Sequence, residues 1–222
     1  MFNSLFSNLL SINTNESLAE QILPYALKYL CYSDEINKKL FDINCTKDSQ
    51  LSNYCLTERW GYRTSFSLDN IPGVKKFIDL EEAKELKAYV LDKAGEFLLE
   101  YGYSEEHSKK IIITSFINEI HQGEEQGIHT HPDTLLSGVF YLQVPTGSSP
   151  IVFRDPRPHT SLFKEDDWVT KKTLSNHREV IFTPKVGDLL LWNSWLPHYV
   201  PVSKDPYTEG RVSVVFNIVK KY

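Results

Sequence analysis

Three histidines and one arginine carry most of the chemistry that the residue types and spacings of this chain allow. His129-Thr130-His131-Pro132-Asp133 sets two imidazoles two positions apart, and His198 and then Arg211-Val212-Ser213 follow far downstream. On an extended segment, residues two apart project to one face with Cα atoms roughly 6.5 Å apart, so both rings can converge on a single metal ion. A third ligand from a distant strand, His198, would close such a site. Arg211 lies thirteen residues past His198 in a segment patterned for β structure. There a fixed guanidinium fork can hold a carboxylate beside the metal. Taken alone, a His-x-His pair in a soluble protein is more often a surface or hydrogen-bonded pair than a ligand set. With His198 and Arg211 added, it suggests an iron site that works with an acidic cosubstrate.

The elements that must position these residues divide the chain at about residue 110. At 222 residues, with 41% hydrophobic and 13% aromatic residues, the chain is long and apolar enough to bury a sizeable core, and the expectation is a single domain spanning 1–222. A formal charge of -5 argues against a nucleic-acid surface as the main business. The apolar runs fall short of the roughly 20 residues that a spanning helix needs, so no membrane role is expected. The segment Met1-Phe2-Asn3-Ser4-Leu5 lacks the basic start of a signal peptide. Cys31, Cys45 and Cys55 are odd in number and lack Cys-x-x-Cys spacing, which fits a reducing compartment, the cytoplasm by default.

Residues 1–110 read as mainly helical, supporting a sheet. Leu18, Ile22, Leu23, Ala26, Leu27 and Leu30 recur at helical spacing between Asn15 and Cys31, with Pro24 set to kink or divide the element. Residues 32–75 give no clear pattern. A second helix is expected from a capping box at Asp79 and Glu82 through the stripe Leu86, Tyr89, Val90, Ala94, Phe97 and Tyr101 to a stop at Gly102. From 111 to 222 the texture changes to short β-branched and aromatic runs punctuated by Gly, Pro and Asp. Eight strands are predicted: Ile111 to Ile120, Gly127 to His131, Ser137 to Val144, Ile151 to Phe153, Arg178 to Thr183, Asp188 to Trp192, His198 to Val202 and Arg211 to Val219. With no helices between them they point to a sandwich or jelly roll. The long polar loop from Asp155 to Asn176, carrying Trp168, is a candidate lid or substrate-binding insertion.

From about Trp60 to Asn217 the chain resembles the 2-oxoglutarate and iron(II)-dependent oxygenases of the double-stranded β-helix fold, distantly similar to prolyl hydroxylases. The stretches that carry the resemblance are His129-Thr130-His131-Pro132, Ser137-Gly138-Val139-Phe140-Tyr141-Leu142 and the Asp155-Pro156-Arg157 corner, followed by the run from Gly187 through Trp192-Asn193-Ser194-Trp195-Leu196-Pro197 to His198. Arg211-Val212-Ser213-Val214-Val215-Phe216-Asn217 completes the set. The resemblance implies a mainly β fold of the α+β type, a double-stranded β-helix or jelly roll with helices packed outside the major sheet. It also implies Fe(II) and 2-oxoglutarate as cofactor and cosubstrate, and dioxygen as oxidant.

Where the wider superfamily carries Asp in its His-x-Asp motif, this chain has His131. Two ligand frames therefore stand: His129, His131 and His198, or His131, Asp133 and His198. Pro132-Asp133-Thr134 reads as a hairpin turn that leaves both His129 and His131 on the strand, which favours the three-histidine frame. Asp133 then becomes a partner to the ligands. Arg211, Ser213, Val215 and Asn217 alternate toward one face of the last strand. Arg-x-Ser resembles the superfamily's clamp on the distal carboxylate of 2-oxoglutarate, and Tyr141 matches a position from which related hydroxylases send a phenol to the same group. Ser137, Asn217 and Asn118 are further candidates for cosubstrate binding, and Trp192, Asn193 and Trp195 for the pocket wall. The bland readings are a half-buried strand aromatic for Tyr141, a surface ion pair for Arg211 and a core residue for Trp192. His107, His121, His159 and His177 lack partners at ligand spacing and are expected to face solvent. Trp60-Gly61-Tyr62-Arg63 resembles a family segment near the site but has no local signal of a role.

The implied reaction oxidatively decarboxylates 2-oxoglutarate to succinate and carbon dioxide while hydroxylating a C–H bond of a substrate, small molecule or protein, that the sequence does not specify. Two other classes compete. One is a cupin-like metal enzyme that uses no 2-oxo acid, against which the Arg-x-Ser pattern speaks. The other is a non-catalytic jelly-roll binding module. The oligomeric state is open, a homodimer being one arrangement.

Overall fold

The computed structural model describes residues 10–45, 62–69, 71, 73–156, 171, 178–203 and 205–221. In chain order the elements are β1 (Leu10–Thr14), α1 (Glu16–Cys45), β2 (Arg63–Thr64), α2 (Phe66–Asp69), α3 (Lys84–Glu100), α4 (Glu105–Ser108) and eight strands. The strands are β3 (Ile111–Ile120), β4 (Gln126–His129), β5 (Leu136–Gln143), β6 (Ile151–Arg154), β7 (Glu179–Phe182), β8 (Asp188–Asn193), β9 (His198–Val200) and β10 (Arg211–Lys220). All eight expected strands are present, because β-branched and aromatic runs between turn residues suit a pleated, half-buried surface. Among the described residues no helix is long and apolar enough to cross a membrane.

The strands form two antiparallel sheets, ordered β1-β8-β5-β10-β3-β2 and β4-β9-β6-β7. Apart from β6 and β7, which pair with each other in the smaller sheet, successive strands of the 111–220 segment alternate between the two sheets, which makes the jelly roll. Period-two side-chain alternation then gives each strand of the larger sheet two jobs. Phe140, Ile113, Ile117, Leu189, Leu191, Val214 and Phe216 face outward and share one core with Leu18, Ile22, Ala26 and Leu30 of α1 and with Leu86, Val90 and Phe97 of α3. Phe116, Val139, Tyr141, Leu190, Trp192 and Val215 face inward and pack against Ile151 and Phe153 of the smaller sheet. The helices therefore lie on the outside of the major sheet.

Several local expectations need correction. Helix α1 runs unbroken through Pro24 as far as Cys45. Pro24 sits on the exposed face, where water can take the carbonyl that its missing N–H leaves unpaired. Asn15 caps this helix, its Oδ1 accepting from the Leu18 N–H at 3.2 Å. Asp79 caps nothing: it ends a 3-10 turn, Phe77–Asp79, and a second, Glu81–Ala83, leads into α3. Its carboxylate instead pairs with Lys87 at 2.6 Å. The other end is as the sequence indicates: Gly102, at φ 98°, donates to Leu99 O while Tyr103 donates to Leu98 O, a Schellman closure. Strands β1 and β2, one at each edge of the larger sheet, carried no sequence signal.

Gly187, at φ 83°, is the point where α1 meets the β8 edge. Its N–H donates to Tyr141 O and its carbonyl accepts from Asn15 N, both at 2.8 Å. A Cβ there would lie 2.5 Å from the Glu16 nitrogen. The opposite edge is held by charge. Arg63 of β2 bridges Asp34 of α1, at 2.6 Å, and the largely buried Glu119 of β3, at 2.5 Å. That bridge ties the Tyr62–Thr64 strip to the jelly roll.

Candidate metal centre and cosubstrate pocket

His129 ends β4 and His198 begins β9, and the two stand directly opposite each other in the antiparallel pairing. His131 lies two residues past the end of β4, where its N–H donates to Ser194 O at 3.0 Å. The turn at Pro132–Asp133 does follow, with Asp133 at φ 59°, but it is not a hairpin. β4 and β5 belong to different sheets, so the turn is a corner by which the chain changes layer. The bend brings His131 back over the pair formed by His129 and His198.

The ligand atoms of the three imidazoles all lie within 4.8 Å of one another, in a group that does not include Asp133. Asp133 is exposed on the corner. Nδ1 of His129 is 2.8 Å from Gly127 O and Nδ1 of His198 is 2.9 Å from Leu196 O. A carbonyl only accepts, so each Nδ1 carries the proton and each Nε2 presents a lone pair. Burial lowers the pKa of all three rings. His198 falls to about 3, with His129 and His131 adding to the effect of burial against the Leu196 carbonyl. His131 falls to about 4, with His129 adding to burial and Asn217 opposing it. Burial likewise lowers His129, opposed by the Gly127 carbonyl. Neutral, preoriented imidazoles with inward lone pairs are the donor set a divalent transition metal takes. The residues present fit Fe(II).

The inner face of β10 supplies the second part of the site. Arg211 is buried, 3% exposed, and sends Nη1 to Ser149 O at 2.6 Å, while its Nε has no hydrogen-bond partner. Its guanidinium carbon lies 5.5 Å from the centre of the Tyr141 ring. Among the described residues no carboxylate pairs with it, so the surface ion pair considered for it is not what the fold builds. A buried cation without a counter-ion is costly, and a bound carboxylate would relieve that cost. Ser213 stands beside Tyr141 on one side and Asn118 on the other. Burial, with Arg211 opposing it, pushes the Tyr141 hydroxyl up to about 12, so it keeps its proton for donation. Ser137 lies between Asn217 and Trp192 on the same face, its hydroxyl without a partner. These residues fit 2-oxoglutarate.

Other candidates fall elsewhere. Trp192 is core, its ring 4.8 Å from that of His198, whereas Trp195 is 44% exposed. Asn193 stands opposite Leu136 on the helix-backed face, away from the histidines. Asn118 accepts from the Thr64 hydroxyl at 2.7 Å. His107 is exposed, but His121 is half-buried with Glu119 at 3.3 Å. Trp60, Gly61, Arg157, His159, Trp168 and His177 lie outside the described residues, as does most of the loop expected to serve as a lid.

A cavity of about 310 Å³ opens on His129 and His131, and its other walls include Tyr62, Thr64, Phe66, Phe116, Gln126 and Asn217. Sequence reasoning gave no role to Thr64, Phe66, Phe116 or Gln126. Only Phe116 had a usable signal, two positions before Asn118 on the same face of β3.

Residues 114–217, just under half of the chain, match the sequence family described as "Putative 2OG-Fe(II) oxygenase". That match points to an Fe(II)- and 2-oxoglutarate-dependent oxygenase, and the family uses both of those groups. Among solved structures, a Pseudomonas putida prolyl-4-hydroxylase is 13% identical with a TM-score of 0.51, over 97% of this chain and 95% of that one. The nickel complex of the non-heme monooxygenase ThoJ is 10% identical with a TM-score of 0.53, over 96% and 74%. At these identities both show a likeness of fold alone, with the jelly roll of the described residues. An oxidoreductase of the 2OG-Fe(II) oxygenase family from Burkholderia pseudomallei is 18% identical with a TM-score of 0.42, over 65% of this chain and 59% of that one. No protein of curated function matches the chain by sequence.

Proposed function

We propose that the protein is an Fe(II)- and 2-oxoglutarate-dependent oxygenase of the hydroxylating type, with His129, His131 and His198 as metal ligands. The observation that carries this reading is what converges on the inner face: three imidazoles, two of them with Nε2 left bare by a carbonyl on Nδ1, and the buried Arg211, with which no carboxylate pairs among the described residues. An iron-bound 2-oxo acid answers both. Arg211, Ser213 and the protonated Tyr141 hold the distal carboxylate, with Ser137 and Asn118 bordering them. Bound Fe(II) supplies the coupling of dioxygen reduction to decarboxylation of 2-oxoglutarate, giving succinate, carbon dioxide and a hydroxylated C–H position.

The protein's own contribution is orientation and dryness. The carbonyls of Gly127 and Leu196 fix two tautomers, the Ser194 carbonyl fixes the backbone at His131, and Phe153 and Trp192 wall His198 from water. Anaerobic protein given Fe(II) and then 2-oxoglutarate is expected to develop a weak visible charge-transfer band, and air should then yield succinate. Absence of both would reject the oxygenase and favour a jelly-roll binding module. A band absent but metal-dependent turnover present would favour a cupin-like enzyme.

A further inference from the structure

Two of the three candidate ligands are fixed in the same way. Nδ1 of His129 and Nδ1 of His198 each meet the carbonyl two residues earlier in the chain, Gly127 O and Leu196 O. His131 differs. Among the described residues its ring makes one contact of hydrogen-bond geometry, Nε2 to His198 Nε2 at 3.3 Å. Its Nδ1 therefore lacks the backbone acceptor that sets the tautomer of the other two rings.

The corner that carries His131 is fastened beside Asn217. Leu135 N–H donates to Ile218 O at 2.9 Å, Ser194 O accepts from His131 N–H at 3.0 Å, and Thr134 Oγ1 donates to His131 O at 3.0 Å. Ile218 belongs to the helix-backed core, so Asn217, its neighbour, turns to the inner face, where it and His131 line the same cavity. The Asn217 side chain lies close enough to favour a proton on the His131 ring, so its oxygen is the atom turned that way. That oxygen is buried and has no other partner among the described residues. A buried acceptor left unmet is costly, and the His131 ring is the donor within its reach.

We propose that Asn217 is a positioning residue of the metal centre: its Oδ1 accepts the Nδ1 proton of His131 and so directs the Nε2 lone pair inward beside those of His129 and His198. The inference rests on these three histidines holding the metal, as proposed above. A ring that gives Nε2 to a cation keeps its proton on Nδ1, and Asn217 then does by side chain what Gly127 and Leu196 do by backbone. Of the three supports it is the one that substitution can remove. Asn217 thereby has a task other than the cosubstrate contact that its place on β10 suggested, and His131 has a partner other than Asp133, which is exposed on the corner.

The test uses Co(II) as the probe, on the full chain. The N–H proton of a Co(II)-bound imidazole gives an NMR signal far outside the ordinary range, lost in heavy water and sharp where a hydrogen bond slows exchange. The unaltered chain is expected to show three such signals, the third assigned by its absence from His131→Ala at saturating Co(II). Asn217→Leu should keep two sharp signals, lose or broaden the third, and bind Co(II) about 10–100-fold more weakly, the usual effect of removing a ligand's outer partner. Asn217→Asp, which keeps an oxygen acceptor, should restore both the signal and the affinity. Should Asn217→Leu fail to fold, Asn217→Ala removes the same acceptor without added bulk. Three sharp signals with unchanged affinity in the folded Leu or Ala variant would overturn the inference, and so would Asn217→Asp behaving as Asn217→Leu does. Loss of 2-oxoglutarate binding by Asn217→Leu saturated with Co(II) would also overturn it, returning Asn217 to the cosubstrate. Co(II) bound with two exchangeable signals in the unaltered chain overturns this inference alone, whereas no Co(II) bound at all rejects the metal centre on which it rests.

Discussion

His131 and His198 face each other Nε2 to Nε2 at 3.3 Å, their rings within 7° of parallel. Nε2 of His198 holds a bare lone pair, because its Nδ1 proton is committed to Leu196 O. Unless His131 turns a proton toward it, two lone pairs oppose each other. A cation between them and His129 converts that repulsion into coordination, so the geometry anticipates a metal.

The ligand frame is the first thing to decide. His131→Ala should lower Fe(II) or Co(II) affinity beyond the roughly 10–100-fold that loss of an outer hydrogen-bonding partner costs. Asp133→Asn, which keeps the left-handed turn accessible, should change it less than about tenfold. Metal retained on dialysis reads both. A larger loss at Asp133 would reinstate the carboxylate frame.

Arg211→Ala should weaken 2-oxoglutarate about a hundredfold while metal content is kept, because a buried carboxylate would lose its fork of donors. Arg211→Lys should recover only part of it, a point charge being a poor substitute for a planar pair of donors. Calorimetry on the Co(II) protein measures both, and unchanged affinity in Arg211→Ala would remove Arg211 from the cosubstrate site.

Acid should destabilise the metal-free protein through these rings. In the unfolded chain they take protons near the ordinary value of 6.5, whereas in the folded chain His131 waits until about 4 and His198 until about 3. Between those limits the unfolded state binds more protons, so stability falls as pH drops below about 6.5 and these rings contribute no pH dependence above it. Melting temperature against pH should have a shallower acid limb in His198→Asn, and an identical limb would mean that the ring is not withdrawn from water.

Gly187→Ala should cost about 2 kcal/mol or more, since a left-handed φ is strained for alanine and the new methyl meets the backbone of Glu16. Urea unfolding would show it. A loss well under 1 kcal/mol would mean that the start of α1 shifts at little cost.

What the sequence disclosed depended on how local the signal was. The eight core strands could be read because each is a run of β-formers between punctuating residues, and three of the four key side chains could be read from parity and order. His131 was expected beside His129 by the parity of one straight strand, but the strand ends at His129 and a corner between sheets turns His131 inward. Tyr62, Thr64 and Phe66 could not be read as cavity walls. Thr64 belongs to a two-residue strand that exists only because β3 is there to pair with, and Arg63 holds it through Asp34 and Glu119, residues distant in sequence. The length of α1 beyond Cys31 was hidden because its later turns carry polar residues without a stripe. Asp79 misled because a capping-box spacing says nothing of the two 3-10 turns that occupy it.

Strand β10 alternates between two audiences. Val212, Val214, Phe216 and Ile218 answer only to the helices behind the sheet, and Arg211, Ser213, Val215 and Asn217 only to the chamber in front. Odd-numbered positions thus border the candidate site, Val215 also packing in the inner core, while even-numbered ones serve the helix-backed core. A single inserted residue would exchange the two sets at a stroke. The strand is therefore intolerant of changes in length.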